Sequence, residues 1–307
     1  MDADPDDVAA FPGFTSELIE VPGSTVFARW AGEGPAVLLL HGFPETHLMW
    51  RDIAPLLADR FTVVCADLRG YGRSGCPPSA PDHAPYAKRA MAADLVALLD
   101  RLGHRRCTVV GHDRGARVGY RLALDHPDRV AGLAVLDVVP TAEVWDRADA
   151  RFAVGFWPWS LLAQPAPLPE RLLTAAPEAV VEDCAQAWGS AATAFPPAVR
   201  AAYTEVLADA GHAHAICEEY RAAATLDRAH DAEDRLAGRL ISAPVLALWA
   251  RGGALDSWYT DAGGPLGLWR WWAERVGGRA VDGGHFFPEE RPAQTAEDLG
   301  RFCAEVA

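Results

Sequence analysis

Apolar runs and amphipathic stretches alternate along most of the chain. Residues 18–30, "LIEVPGSTVFARW", alternate apolar and polar positions on both sides of Pro-Gly-Ser and predict a β-hairpin. "PAVLLLHGFP" is a continuous apolar run that ends in a Gly/Pro loop, as a strand buried on both faces would. "RDIAPLLADR" has helical spacing, and "FTVVCADLRGYGRSG" reads as a strand entering a Gly-rich loop. "MAADLVALLDRLG" reads as a helix stopped by Gly. "CTVVGHD", "RGARVGYRLALDHP" and "VAGLAVLDVVP" then read as strand, helix and strand. This alternation implies a parallel sheet with helices on both faces. After Pro140 the rhythm breaks, and residues 142–232 carry helical patterns with no evident buried strand. Strands return at "APVLALWA" and near "RAVDGGHFFPEE", on either side of an expected helix "LGLWRWWAERV". The expected architecture is α/β: a core of residues 1–141 and 233–307 with a mostly parallel sheet, and a helical cap at 142–232. Such a cap would roof the carboxyl ends of the strands, where open α/β sheets bind ligands.

Composition narrows the function classes. The chain has 307 residues and a net charge of −14, with no basic stretch suited to nucleic acid. An anionic substrate would meet an opposing global field, so local cations would have to reverse it. No apolar run approaches the roughly 18 residues of a membrane span. "MDADPDDVAAFPGF" has neither the basic nor the apolar region of a signal peptide. The six cysteines are scattered without metal-ligand spacing, which fits reduced, buried thiols in the cytoplasm. Neither cofactor nor metal is implied.

The chemistry centres on "VVGHDRGARVGY". Gly111-His112-Asp113-Arg114-Gly115 has the outline of a nucleophile elbow between strand and helix, with Asp113 in the nucleophile's place. A carboxylate is already anionic and can displace a leaving group from an sp³ carbon, forming an ester of the enzyme. Water must then attack that ester, and a general base must take its proton. His285, in "DGGHFFPEE", is the expected base. Asp137, at the end of "LAVLDVV", is the favoured acid to orient it; Asp256, further into its loop, is the alternative. The backbone N–H groups of Phe43 and Arg114 are the expected oxyanion donors. Arg114 and Arg117 are three residues apart and share a helix face. Their guanidinium groups, beside a helix N-terminus, suit a small carboxylate whose α-carbon would face Asp113. His41 and His112 read as structural hydrogen-bonding residues. The tryptophans 269, 271 and 272 read as helix packing.

"HGFPETHLMW", "ADLRGYGRSG", "HAPYAKRAMAADL", "VVGHDRGARVGYRLALDHPDRV", "LAVLDVVPT", "AQPAPLPERLL", "EEYRAA" and "GHFFPEE" together resemble the haloacetate (fluoroacetate) dehalogenases of the α/β-hydrolase superfamily. The resemblance runs from about residue 20 to the C-terminus and keeps the motif order, with nucleophile, acid and histidine in the superfamily's sequence. It implies hydrolysis of small 2-haloacids to 2-hydroxy acids, with Asp113 as nucleophile, His285 as base, Asp137 as its acid, and Arg114 and Arg117 as a carboxylate clamp. It also implies a homodimer. The family's halide donors, a His-Trp pair and a Tyr, fall on Pro158, Trp159 and Tyr220. Pro158 has no side-chain donor. Losing one such donor could cost on the order of 2–4 kcal/mol in the transition state. Fluoride should therefore leave poorly, and chloride and bromide more readily. Trp157 is a second indole that could face the pocket. Two rivals are an epoxide hydrolase, which would need cap tyrosines on the epoxide oxygen and has only Tyr220 as an evident candidate, and a non-catalytic module that binds a small acid.

Overall fold

Residues 10–191 and 193–307 are described by a computed structural model. The acidic residues 1–9, where the signal-peptide reading begins, lie outside the described residues. Strands β1 (Thr15–Val21) and β2 (Ser24–Ala31) form the expected hairpin. They are followed by β3 (Ala36–Leu40), β4 (Thr62–Ala66), β5 (Cys107–His112), β6 (Val130–Leu136), β7 (Val245–Ala250) and β8 (Val276–Val281). The sheet order is β1-β2-β4-β3-β5-β6-β7-β8. β2 is antiparallel to its neighbours, and all pairs from β4 to β8 are parallel.

Side-chain alternation explains why the central strands are apolar throughout. Leu38, Leu40, Val64 and Val109 face one core layer, while Val37, Leu39, Val63 and Val110 face the other. The first layer is covered by α2 (Lys88–Arg101) and α3 (Asp113–Asp125). The second is covered by α1 (Ala54–Ala58) and, near the C-terminus, α15 (Pro292–Val306). Full burial of each such leucine is worth about 2 kcal/mol.

Between β6 and β7 lie α4 (Thr141–Asp146), α5 (Ala150–Gly155), α6 (Trp157–Leu162), α7 (Leu168–Ala175), α8 (Pro177–Ala187), α9 (Pro197–Ala208), α10 (Ala210–Ala224) and α11 (Leu226–Leu236). The remaining helices are α12 (Ala254–Trp258), α13 (Gly264–Trp269) and α14 (Phe287–Glu290). The tryptophan-rich segment is helical only as far as Trp269. Trp269 and Trp272 are buried, and each indole donates, to the Val138 carbonyl and to Glu143 respectively. Trp271 is half exposed and lies under the Arg147 and Arg235 guanidinium groups. Five cysteines are buried as expected; Cys76 is exposed, on the loop after β4. Among the described residues, no helix is long and apolar enough to cross a membrane.

Candidate active site

β5 ends at His112, and α3 begins with Asp113 itself. Asp113 has φ 39°, a left-handed conformation that is strained for a non-glycine residue and lifts its side chain off the sheet's end. The two motif glycines make the turn possible. A Cβ on Gly111 would come within 2.4 Å of the Ala116 backbone, and one on Gly115 within 2.4 Å of the His41 carbonyl oxygen. The helix therefore starts directly against the end of the neighbouring strand β3. Its first N–H groups have no intrahelical acceptor, and that of Arg114 is among them. From the loop after β3, Phe43 N–H donates to Asp113 Oδ2 at 3.2 Å.

His285 and Asp137 meet across the sheet end. His285 Nδ1 is 2.6 Å from Asp137 Oδ2. Asp137 follows β6 with φ 52°, its Oδ1 accepts the Ala250 N–H at 2.9 Å, and its own N–H donates to the Leu248 carbonyl. The competing acid is engaged elsewhere: Asp256 accepts from Trp249 Nε1 at 2.7 Å and from Gly252 N–H at 2.9 Å. Burial alone would raise the Asp113 carboxyl. His285, Arg114 and Arg117 outweigh burial and hold it below the ordinary aspartate range.

The two flanking histidines tie loops together. His41 Nε2 accepts the Leu68 N–H, and burial lowers the ring's pKa, so the neutral form is retained. His112 lies between Glu45 Oε2, 2.7 Å from its Nδ1, and the His285 carbonyl, 2.9 Å from its Nε2. Burial disfavours its charge, but Glu45 overcomes that and raises it to about 9. The same Glu45 oxygen accepts the Gly42 N–H. One charged bridge thus joins the Phe43 loop to the His285 loop. The cap holds the latter loop too: His285 N–H donates to the Trp188 carbonyl and Phe286 N–H to Ser190 Oγ. Nothing in the local sequence around Glu45, Trp188 or Ser190 marks them as partners of these loops.

The arginines occupy their expected face, but differently from two open forks. Arg114 Nε and Nη2 are taken by Glu219, the residue before Tyr220, with Nε at 2.9 and 2.8 Å from its two oxygens. Arg117 Nη1 donates to the Val139 carbonyl at 2.8 Å. Arg114 Nη1 and Arg117 Nε are buried and have no hydrogen-bond partner among the described residues. Arg117 Nε lies 3.9 Å from Asp113 Oδ1. The Arg114 guanidinium sits 4.0 Å over the Tyr220 ring, and that of Arg117 4.5 Å over Trp159. Pro158 and Trp159 lie in the first turn of α6, where proline costs no backbone hydrogen bond. The Trp157 indole donates outward to Asp183 at 2.7 Å and does not replace a donor at position 158.

The α/β-hydrolase-fold family matches residues 35–292. The fluoroacetate dehalogenase of a Burkholderia species is 42% identical over 300 residues, covering 96% of this chain and 96% of that protein. This chain belongs to the haloacetate dehalogenase family of the α/β-hydrolase superfamily. Another member of the superfamily, the solved α/β hydrolase ALR0039 from Nostoc sp PCC 7120, has a TM-score of 0.90 and 44% identity, covering 94% of this chain and 98% of its own. The soluble epoxide hydrolase of Corynebacterium sp. (strain C12) is 42% identical over 110 residues, 36% of this chain and 37% of that protein. Haloacetate dehalogenase membership makes the chain a hydrolase.

Proposed function

We propose that the protein hydrolyses the carbon–halogen bond of small 2-haloacids. The observation that carries this reading is the pair of buried donors, Arg114 Nη1 and Arg117 Nε, that have no hydrogen-bond acceptor among the described residues and lie beside an anionic Asp113. Leaving buried guanidinium N–H groups unpaired is costly, so a ligand carboxylate that accepts from both would relieve it. A carboxylate held there sets its α-carbon before Asp113.

In the first step an Asp113 oxygen attacks that carbon, the C–O bond forms, and the C–X bond breaks with its electron pair on the halide. Trp159 Nε1 and the Tyr220 hydroxyl are the donors this reading assigns to the halide. In the second step water attacks the Asp113 ester carbonyl while His285, oriented by Asp137, takes its proton. Phe43 N–H and Arg114 N–H hold the oxyanion. Collapse breaks the ester C–O bond, the departing 2-hydroxy acid takes the proton from His285, and Asp113 returns to its carboxylate by releasing the second proton of the water to solvent.

The test is turnover of chloro-, bromo- and fluoroacetate by the purified protein. The expected result is free halide and glycolate, abolished in Asp113→Asn. Opening of styrene oxide with no haloacid consumed would establish the epoxide hydrolase instead. Binding of a small acid without turnover of either would establish a binding module.

A further inference from the structure

A line of buried charge runs behind the arginine pair, and the steps above do not use it. Lys88, the first residue of α2, pairs through Nζ with the same Glu219 carboxylate that holds Arg114. The Lys88 side chain is 2% exposed, and those of Glu219 and Arg114 are fully buried. Beyond Lys88, Asp227 Oδ2 is 3.5 Å from Nζ, and Asp227 Oδ1 accepts the Lys88 backbone N–H at 2.9 Å. The Tyr71 hydroxyl donates to Glu219 Oε2 at 3.4 Å.

Packing alone does not call for a lysine here. Buried ion pairs can often be replaced by apolar residues of similar volume at little or no loss of stability. The charge count gives it a reason. Glu219 fixes Arg114 but also offsets its charge. Lys88, Arg114 and Arg117 then face Asp113, Glu219 and Asp227, three cations against three carboxylates. Without Lys88 the cluster is net negative before any substrate carboxylate arrives.

We propose that Lys88 is a positioning residue of the anion site: by sharing Glu219 it keeps Arg114 both oriented and electrostatically available to the substrate carboxylate. This rests on the carboxylate-clamp reading given above. Burial and Arg114 disfavour the Lys88 ammonium, and Asp227 favours it.

The test is titration calorimetry on the full chain with glycolate and with its neutral counterpart, glycolamide. Lys88→Met should weaken glycolate binding about tenfold and leave glycolamide within about twofold, as expected for loss of a charge rather than of shape. Lys88→Arg should restore glycolate binding to within about threefold of wild type. Lys88→Gln serves if the methionine variant does not fold. Equal losses for the two ligands, an unchanged glycolate affinity, or no rescue by arginine would overturn the proposal. A wild type that binds neither ligand overturns both this proposal and the clamp reading. A selective glycolate loss in a protein that turns over no haloacid keeps the proposal and removes the dehalogenase reading.

Discussion

His285 Nδ1 and Asp137 Oδ2 lie 2.6 Å apart, on loops that follow different strands of the sheet. The second oxygen of Asp137 is fixed by Ala250 N–H, so the carboxylate has one orientation in which to hold the imidazole. In the proposed scheme this pair serves only ester hydrolysis. Asp137→Asn should therefore permit one round of halide release and then slow turnover by about 10³–10⁴. Rapid-quench halide assays would show a burst close to one equivalent per active site. Asp256→Asn should keep steady-state rates within about threefold, because that carboxylate holds Trp249 and Gly252. Reversed effects of the two variants would transfer the acid's role to Asp256.

The proposed halide side of the pocket gives a second prediction. Trp157 points at Asp183, so position 158 carries no substitute for the missing imidazole. Pro158→His should raise fluoroacetate turnover relative to chloroacetate by about tenfold or more, since a donor to a departing fluoride is worth a few kcal/mol. Ion-selective electrodes for the two halides measure this ratio. An unchanged ratio would remove the assignment of halide selectivity to this position.

The Glu45–His112 bridge predicts a pH-dependent stability. His112 has a pKa raised from its ordinary 6.5 to about 9. Protonation is thus favoured in the folded state. The stabilisation it confers is complete below about pH 6.5 and is lost as pH rises through 9. Glu45→Gln leaves the buried imidazole without its anion and should cost about 3 kcal/mol at neutral pH. Urea unfolding at pH 6.5 and at pH 9 should show wild type losing stability relative to the variant across that interval. Parallel pH profiles for the two proteins would exclude a charged His112.

Much of this was legible in the sequence because the signals are local. An apolar run followed by Gly-x-Asp-x-Gly specifies β5, the strained Asp113 turn and α3 within a few residues. Asp137 directly follows β6 while Asp256 lies further from its strand, in α12, and the hydrogen bonds of the two carboxylates differ accordingly. Less legible were relationships made by tertiary packing. Lys88 and Glu219 belong to helices far apart in the chain, and nothing local to either predicts that they share a buried site. Arg114 reads as an open fork because the sequence does not reveal that Glu219 fills it. The direction of Trp157 depends on Asp183 in α8, and the fixing of the His285 loop depends on Trp188 and Ser190. The helical pattern past Trp269 ends early, because the segment turns there to bury Trp272 against Glu143.

In the proposed scheme the haloacid alkylates Asp113. The most direct measurement is the intact mass and peptide map of His285→Gln after incubation with chloroacetate. The variant keeps the nucleophile and the arginines but cannot activate water. One carboxymethyl group should accumulate as a base-labile ester on the peptide containing Asp113, with one chloride released for each. An unmodified Asp113 peptide, in a folded variant whose wild-type parent releases chloride from the same substrate, would contradict the account.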